Sequence, residues 1–296
     1  MGDFLTYDGR TASSDHASDG KMTMAMISTN DINLSVEDSG GDGRPVVLIH
    51  GWPLSGASWA AQVPALTKAG YRVIAYDRRG FGKSDKPADG FDYDTLSDDL
   101  AGIMDELDLE DATLVGFSMG GGEVARYISR HGEDRLRSVV FAAAVPPYMM
   151  KTEDNPDGPL TEAAAKDMEA GLRADRTAFF DTFTKGFFSV AGVLKVSEED
   201  RQKAILLCHQ SGQEAALGCM KAFATTDFRD DLPTVTVPTL VLHGAGDGTV
   251  PFTGSGARTH SAIEGSDLVV IEDAPHGFNV SHADAFNKAL IAFLKG

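Results

Sequence analysis

Cysteine is almost absent from this 296-residue chain, with only Cys208 and Cys219. Two thiols exclude a disulfide-framed scaffold and a four-cysteine zinc site. Both fall in helically patterned stretches, where a small buried thiol is the simplest expectation. Basic charge is scarce as well. Lys and Arg number 26 against 44 Asp and Glu, for a formal net charge of −18. Such a chain, with no basic stripe, repels a phosphate backbone, so no nucleic-acid partner is expected and the acidity reads as solubility. Long apolar runs are missing too. None approaches the roughly 18 residues of a membrane span, which excludes a membrane-crossing helix. The first residues hold no apolar signal core; they carry Asp3, Asp8, Asp15 and Asp19. Residues 1–23 therefore read as a disordered leader or an expression remnant, and the compartment as the cytoplasm.

What is present is a regular alternation. After an expected hairpin, Met24–Thr29 and Ile32–Glu37, short apolar runs recur at Val46–His50, Tyr71–Tyr76, Thr113–Phe117, Ser138–Ala144, Thr239–His243 and Leu268–Glu272. Runs without polar alternation suit strands buried on both faces of a parallel sheet. Amphipathic stretches separate them: Ala57–Lys68, Tyr93–Leu107, Gly120–Arg130, Gly254–Ile263 and Ala283–Leu294. Strand–helix alternation predicts an α/β fold, a mostly parallel central sheet flanked by helices. One interval departs from it. From about residue 145 to 235 only helical patterns appear, at Thr161–Ala174, Arg176–Phe188, Glu198–Gln210 and Gln213–Ala224. An all-helical cap inserted between two sheet strands is expected there, within one domain spanning 24–296.

The sharpest chemical signal is Gly116-Phe117-Ser118-Met119-Gly120, between an apolar run and an amphipathic stretch. A strand that turns at once into a helix is pinched, and small residues two places either side of the serine permit it. Ser118 would stand exposed at a helix N-terminus, where developing negative charge is favoured. A serine hydroxyl needs a base. Of eight histidines, His276 lies in a loop after the last apolar run and before the final helix, the position that returns a side chain over the sheet edge. The orienting acid should lie between them in chain order. Asp247, after Thr239–His243, fits; Asp273 is the rival, better read as closing its own loop. Backbone N–H groups of Met119 and Trp52 are the candidate donors for an oxyanion.

Two other glycine strings are weaker. Arg78-Arg79-Gly80-Phe81-Gly82-Lys83-Ser84 nearly spells a phosphate loop, but Asp77 stands where glycine is required, so it reads as a structural turn. Gly120-x-Gly122-x-x-Ala125 begins too late for a dinucleotide site and reads as close helix packing. In the cap, Phe180, Phe183 and Phe187 recur at helical spacing. They read first as a packing stripe, and with Phe117, Tyr148 and Phe278 as candidate walls of an apolar pocket.

Together, His50-Gly51-Trp52-Pro53, Asp77 through Asp85, Gly116 through Arg126, Asp247 and His276 resemble α/β-hydrolases. More narrowly, they are similar to the bacterial arylesterase, perhydrolase and cofactor-free haloperoxidase group. The resemblance covers about Met24 to Lys295. It implies a Ser118–His276–Asp247 triad, no cofactor or metal, and a trimer or hexamer. A serine carboxylesterase for small neutral aryl or short-acyl esters is expected, with promiscuous perhydrolase or haloperoxidase activity. Lactone, amide, thioester or carbon–carbon hydrolysis by the same triad, or a non-catalytic ligand-binding homologue, are the alternatives.

Overall fold

A computed structural model describes residues 22–296, so the leader reading lies, up to residue 21, outside the described residues. The chain opens with the hairpin β1 (Thr23–Thr29) and β2 (Ile32–Asp38), turning at Asn30 and Asp31, which both hold positive φ. There follow β3 (Pro45–Ile49), α1 (Val63–Lys68), β4 (Arg72–Tyr76), α2 (Tyr93–Glu106), β5 (Ala112–Phe117), α3 (Met119–His131) and β6 (Leu136–Ala142). Then come α4 (Glu162–Ala174), α5 (Arg176–Phe187), the two-residue strands β7 (Ser189–Val190) and β8 (Val193–Leu194), α6 (Glu198–His209) and α7 (Gln213–Thr225). The chain ends with β9 (Thr239–Gly244), α8 (Gly256–Ala262), β10 (Asp267–Ile271), α9 (Phe278–Ser281) and α10 (Ala283–Leu294).

Eight strands form one sheet in the order β1-β2-β4-β3-β5-β6-β9-β10. The β1–β2 and β2–β4 pairs are antiparallel and the rest are parallel. This is the mostly parallel α/β sheet expected from the alternation, flanked by helices: α2 packs on α3, and α1 on α10. Val46–Ile49 and Leu114–Phe117 are wholly buried, as central strands covered on both faces must be.

Three expectations are corrected. Leu268–Glu272 is not buried on both faces; β10 is an edge strand with one neighbour, and Leu268 is exposed. Ala57–Lys68 is not one helix. Pro64 lacks the N–H an interior position must donate, so a 3-10 turn (Gly56–Trp59) precedes α1, in whose first turn the proline is tolerated. The interval between β6 and β9 holds four helices but is not all-helical, because β7 and β8 form a short antiparallel hairpin there.

Candidate active site

Ser118 occupies the turn between β5 and α3 with φ 55° and ψ −119°. A side chain at positive φ is strained, typically by about 1–3 kcal/mol, and persists only where its surroundings impose it. Here they do. A Cβ on Gly116 would lie 2.5 Å from the Gly120 carbonyl oxygen, and one on Gly120 2.6 Å from that of Ile49. Only glycine allows strand, turn and helix to close this tightly. Gly121 and Gly122 likewise abut Ala144 and Tyr93, the close packing expected of that string. The turn is held on both sides: Ser118 N–H donates to Ala142 O at 2.9 Å, and Ser118 O accepts from Gly121 N–H at 3.0 Å.

Asp247 follows β9 and His276 follows β10, neighbouring parallel strands whose loops leave the same sheet edge. Gly246 N–H donates to Ala274 O at 2.9 Å and ties the two loops together, and Gly277 N–H donates to Phe187 O of α5 at 2.9 Å, tying the His276 loop to the cap. The result is a chain of short bonds. His276 Nε2 lies 2.9 Å from Ser118 Oγ, and His276 Nδ1 lies 2.6 Å from Asp247 Oδ2. All three side chains are buried. Burial alone would raise the Asp247 carboxyl, but attraction to His276 and hydrogen bonds from His243 and His276 hold it well below the ordinary carboxylate range. An ionised Asp247 requires the proton on Nδ1, which leaves Nε2 to accept from the serine hydroxyl. Asp247 Oδ1 accepts Thr249 N–H at 2.9 Å and Val250 N–H at 2.8 Å, so its loop is held as well as its ring partner. The rival, Asp273, is exposed and takes Lys195 Nζ at 2.5 Å.

Among the described residues neither Trp52 N–H nor Met119 N–H donates a hydrogen bond. Met119 adjoins Ser118 in sequence. Gly51, the residue before Trp52, adjoins it in space, since a Cβ there would lie 3.1 Å from Ser118 Cβ, and Trp52 shares a cavity with Ser118. A buried network joins the two segments, and sequence reasoning missed it. Arg78 Nη2 donates to His50 O at 2.7 Å, its guanidinium pairs with Glu123 of α3, and Tyr76 Oη donates to Glu123 at 2.7 Å. His50 Nε2 accepts Arg78 N–H at 3.0 Å; burial, then the Arg78 charge, push its pKa well down and keep it neutral. The rest of that string is the structural turn expected. Asp77 accepts from Gly56 N–H and Lys83 N–H at 2.8 Å each, and Arg79 pairs with Asp99.

Ser118 and His276 open into a cavity of about 50 Å³ walled by Trp52, Val145, Met149, Leu160, Met168, Phe183, Phe223, Thr249 and Val250. Of the six side chains expected to line the substrate pocket, Phe183 alone borders this cavity. Phe117 and Phe187 instead grip the imidazole, with ring centroids 5.2 and 4.9 Å from that of His276. Phe180 is buried in the cap beneath the Arg176 guanidinium, and Phe278 packs on Phe286. Tyr148 lies under Arg229 and away from the cavity. Helical spacing marks an apolar stripe but not which of its rings meets a void. The methionines and valines that do were legible only as apolar.

Cys208 and Cys219 are buried, and desolvation pushes both thiols up to about 12, so neither supplies a competing nucleophile at neutral pH. Among the described residues no three His, Cys, Asp or Glu side chains are grouped to hold a metal ion, and no helix is long and apolar enough to cross a membrane.

A family model for the alpha/beta hydrolase fold matches residues 44–283. The chain belongs to the α/β-hydrolase family. This hydrolase is 42% identical over 257 residues to the non-heme chloroperoxidase CPO-A1 of Kitasatospora aureofaciens, covering 86% of this chain and 93% of that one. It is 37% identical over 277 residues to the bifunctional esterase/perhydrolase DCH of Acinetobacter calcoaceticus, covering 92% of this chain and all of that one. It is also similar to the crystal structure of a bromoperoxidase from Bacillus anthracis, with a TM-score of 0.89, 52% identity and coverage of 93% and 100%.

Proposed function

We propose that this hydrolase is a serine carboxylesterase for small, neutral esters. The observation that carries it is the buried bond chain Ser118–His276–Asp247 on an apolar cavity. Ser118 Oγ attacks the ester carbonyl as His276 Nε2 takes its proton, with Asp247 stabilising the imidazolium. Trp52 and Met119 N–H groups receive the oxyanion. The intermediate collapses, the alcohol leaves with the proton from Nε2, and an acyl group remains on Ser118. Water, deprotonated by His276, then releases the acid and restores the serine. The apolar walls favour an uncharged substrate, since a charge there would be desolvated without a partner.

The names of the relatives favour a second reaction on the same acyl-enzyme. Hydrogen peroxide in place of water would release a peracid, which transfers its terminal oxygen to halide and leaves the carboxylate. Lactone, thioester, amide or carbon–carbon substrates would use the same groups.

Labelling with a fluorophosphonate probe, located by mass spectrometry, tests the reading alongside 4-nitrophenyl acetate hydrolysis. The adduct is expected on Ser118, and Ser118→Ala should lower kcat by on the order of 10⁶. An adduct elsewhere, or esterase activity surviving Ser118→Ala, overturns it. Peracid formed from acetate and peroxide would establish the second reaction; its absence beside brisk hydrolysis removes it.

A further inference from the structure

The cavity at Ser118 does not end the apolar space in the cap. A second cavity of about 170 Å³ lies between α4 and α7, and Leu160, Met168 and Phe223 line both. Those three side chains are therefore the partition between two chambers. The inner chamber, about 50 Å³, holds on the order of a few water molecules, the size of a short acyl group. The outer chamber continues the apolar lining with Met150, Leu217 and Met220. Its charged members are exposed: Lys166 pairs with Glu162 at 2.6 Å, Glu169 with Arg173 at 2.9 Å, and Lys221 reaches solvent. All four charges are solvated rather than buried, so an aliphatic chain laid along the apolar lining would lose only water.

One partition residue touches the segment that carries a candidate oxyanion donor. His276, which would protonate the leaving alcohol, borders the inner chamber with Thr249 and Val250. Phe223 of the partition meets Trp52, ring centroids 5.6 Å apart, and Trp52 carries a candidate oxyanion donor. The alcohol oxygen must meet His276 Nε2, so the chain that passes Trp52 and Phe223 is assigned to the acyl group. Of the three partition residues, Met168 is the adaptable one. It is half-buried on α4, a helix whose only fully buried side chain is Leu172. Its unbranched thioether has three rotatable bonds.

Building on the esterase reading, we infer that Met168 is the specificity-determining residue for acyl-chain length. Acyl groups of about four carbons or fewer fit the inner chamber. Medium-chain acyl esters bind only by displacing Met168, so that the chain enters the Met-lined outer chamber.

Two measurements test this, one independent of catalysis. In the first, kcat/KM is compared for 4-nitrophenyl acetate, butyrate, hexanoate and octanoate. The wild type should prefer the two short esters. Each methylene newly buried adds about fourfold, so Met168→Ala should raise the octanoate-to-acetate ratio about tenfold or more. Met168→Trp should depress butyrate and longer esters more than acetate. In the second, 2-nonanone, a neutral ketone bearing the octanoyl chain, is titrated into the Ser118→Ala protein. Fluorescence of the two tryptophans, one of which walls the chamber, reports binding. Adding Met168→Ala should tighten 2-nonanone about tenfold and leave acetone unchanged. An unchanged ester ratio and unchanged 2-nonanone affinity, in a variant with a wild-type melting curve, overturn the inference and leave the esterase reading intact. Inert esters with a 2-nonanone affinity that still responds to Met168 have the opposite meaning: the chamber stands and the esterase reading falls. If Met168→Ala does not fold, Met168→Leu, similar in volume but stiffer, and Met168→Trp, larger, replace it, and both should lower the octanoate-to-acetate ratio.

Discussion

At Asp247 one carboxylate oxygen holds the loop and the other holds the imidazole. Asp247→Asn keeps the size but places an amide N–H where Nδ1–H must donate, so His276 would present a protonated Nε2 to Ser118. We expect kcat to fall by on the order of 10⁴ with little change in KM; a fall below tenfold in 4-nitrophenyl acetate assays would remove Asp247 from the proposed triad. The same residue makes a prediction in acid. Its folded pKa lies below its unfolded value, so the unfolded chain binds more protons between the two. That contribution to stability is complete above the ordinary carboxylate range and is lost as pH drops below about 5. Urea unfolding of wild type and Asp247→Asn should therefore converge as pH is lowered from 6 toward 3. The elbow, Asp247 and His276 were legible because chain order and small local motifs place them. Arg78 and Glu123 were not, because a buried ion pair is made by residues 45 positions apart and leaves no local pattern.

Helix α5 shows what element-level patterning carries and where it stops. Its phenylalanines recur at helical spacing, which identifies an inward stripe. The helix is wide enough that one edge of the stripe enters the cap core and another meets a cavity: Phe180 is fully buried and Phe183 borders the space above Ser118. The two positions should separate cleanly. Phe180→Ala is expected to cost about 3–5 kcal/mol by cavity creation, read by urea denaturation, with kinetics of the folded fraction little altered. Phe183→Ala should cost less and raise KM for short esters severalfold. Equal stability losses with equal KM values would contradict this division. Proline and edge position acted at the same scale. Pro64 divided one amphipathic pattern into two elements, and a strand with a single neighbour left β10 half covered.

For the whole molecule, an excess of 18 negative charges is a uniform repulsion that compaction must overcome. Salt screens it, the Debye length falling from about 30 Å at 0.01 M to about 3 Å at 1 M. The melting temperature at pH 7 should therefore rise by about 2–5 °C between about 0.01 and 0.5 M NaCl. A flat or falling response would show that local ion pairs outweigh the net field.

By itself the sequence determined the α/β class, most of the strand and helix order, the tight turn at Ser118 and the loops that carry Asp247 and His276, the proposed acid and base. Those depend on hydrophobic period, on glycine at a pinched turn and on the order in which loops return to one sheet edge, all written within a few residues. Only the tertiary structure decided which aromatic rings grip His276 and which face a cavity. It also decided how Arg78 links the two candidate donor segments, and that Leu160, Met168 and Phe223 border both apolar cavities. Each depends on side chains from different elements meeting: Trp52 Nε1 bonds Ala216 O across 164 residues, and no period in the chain encodes such a contact.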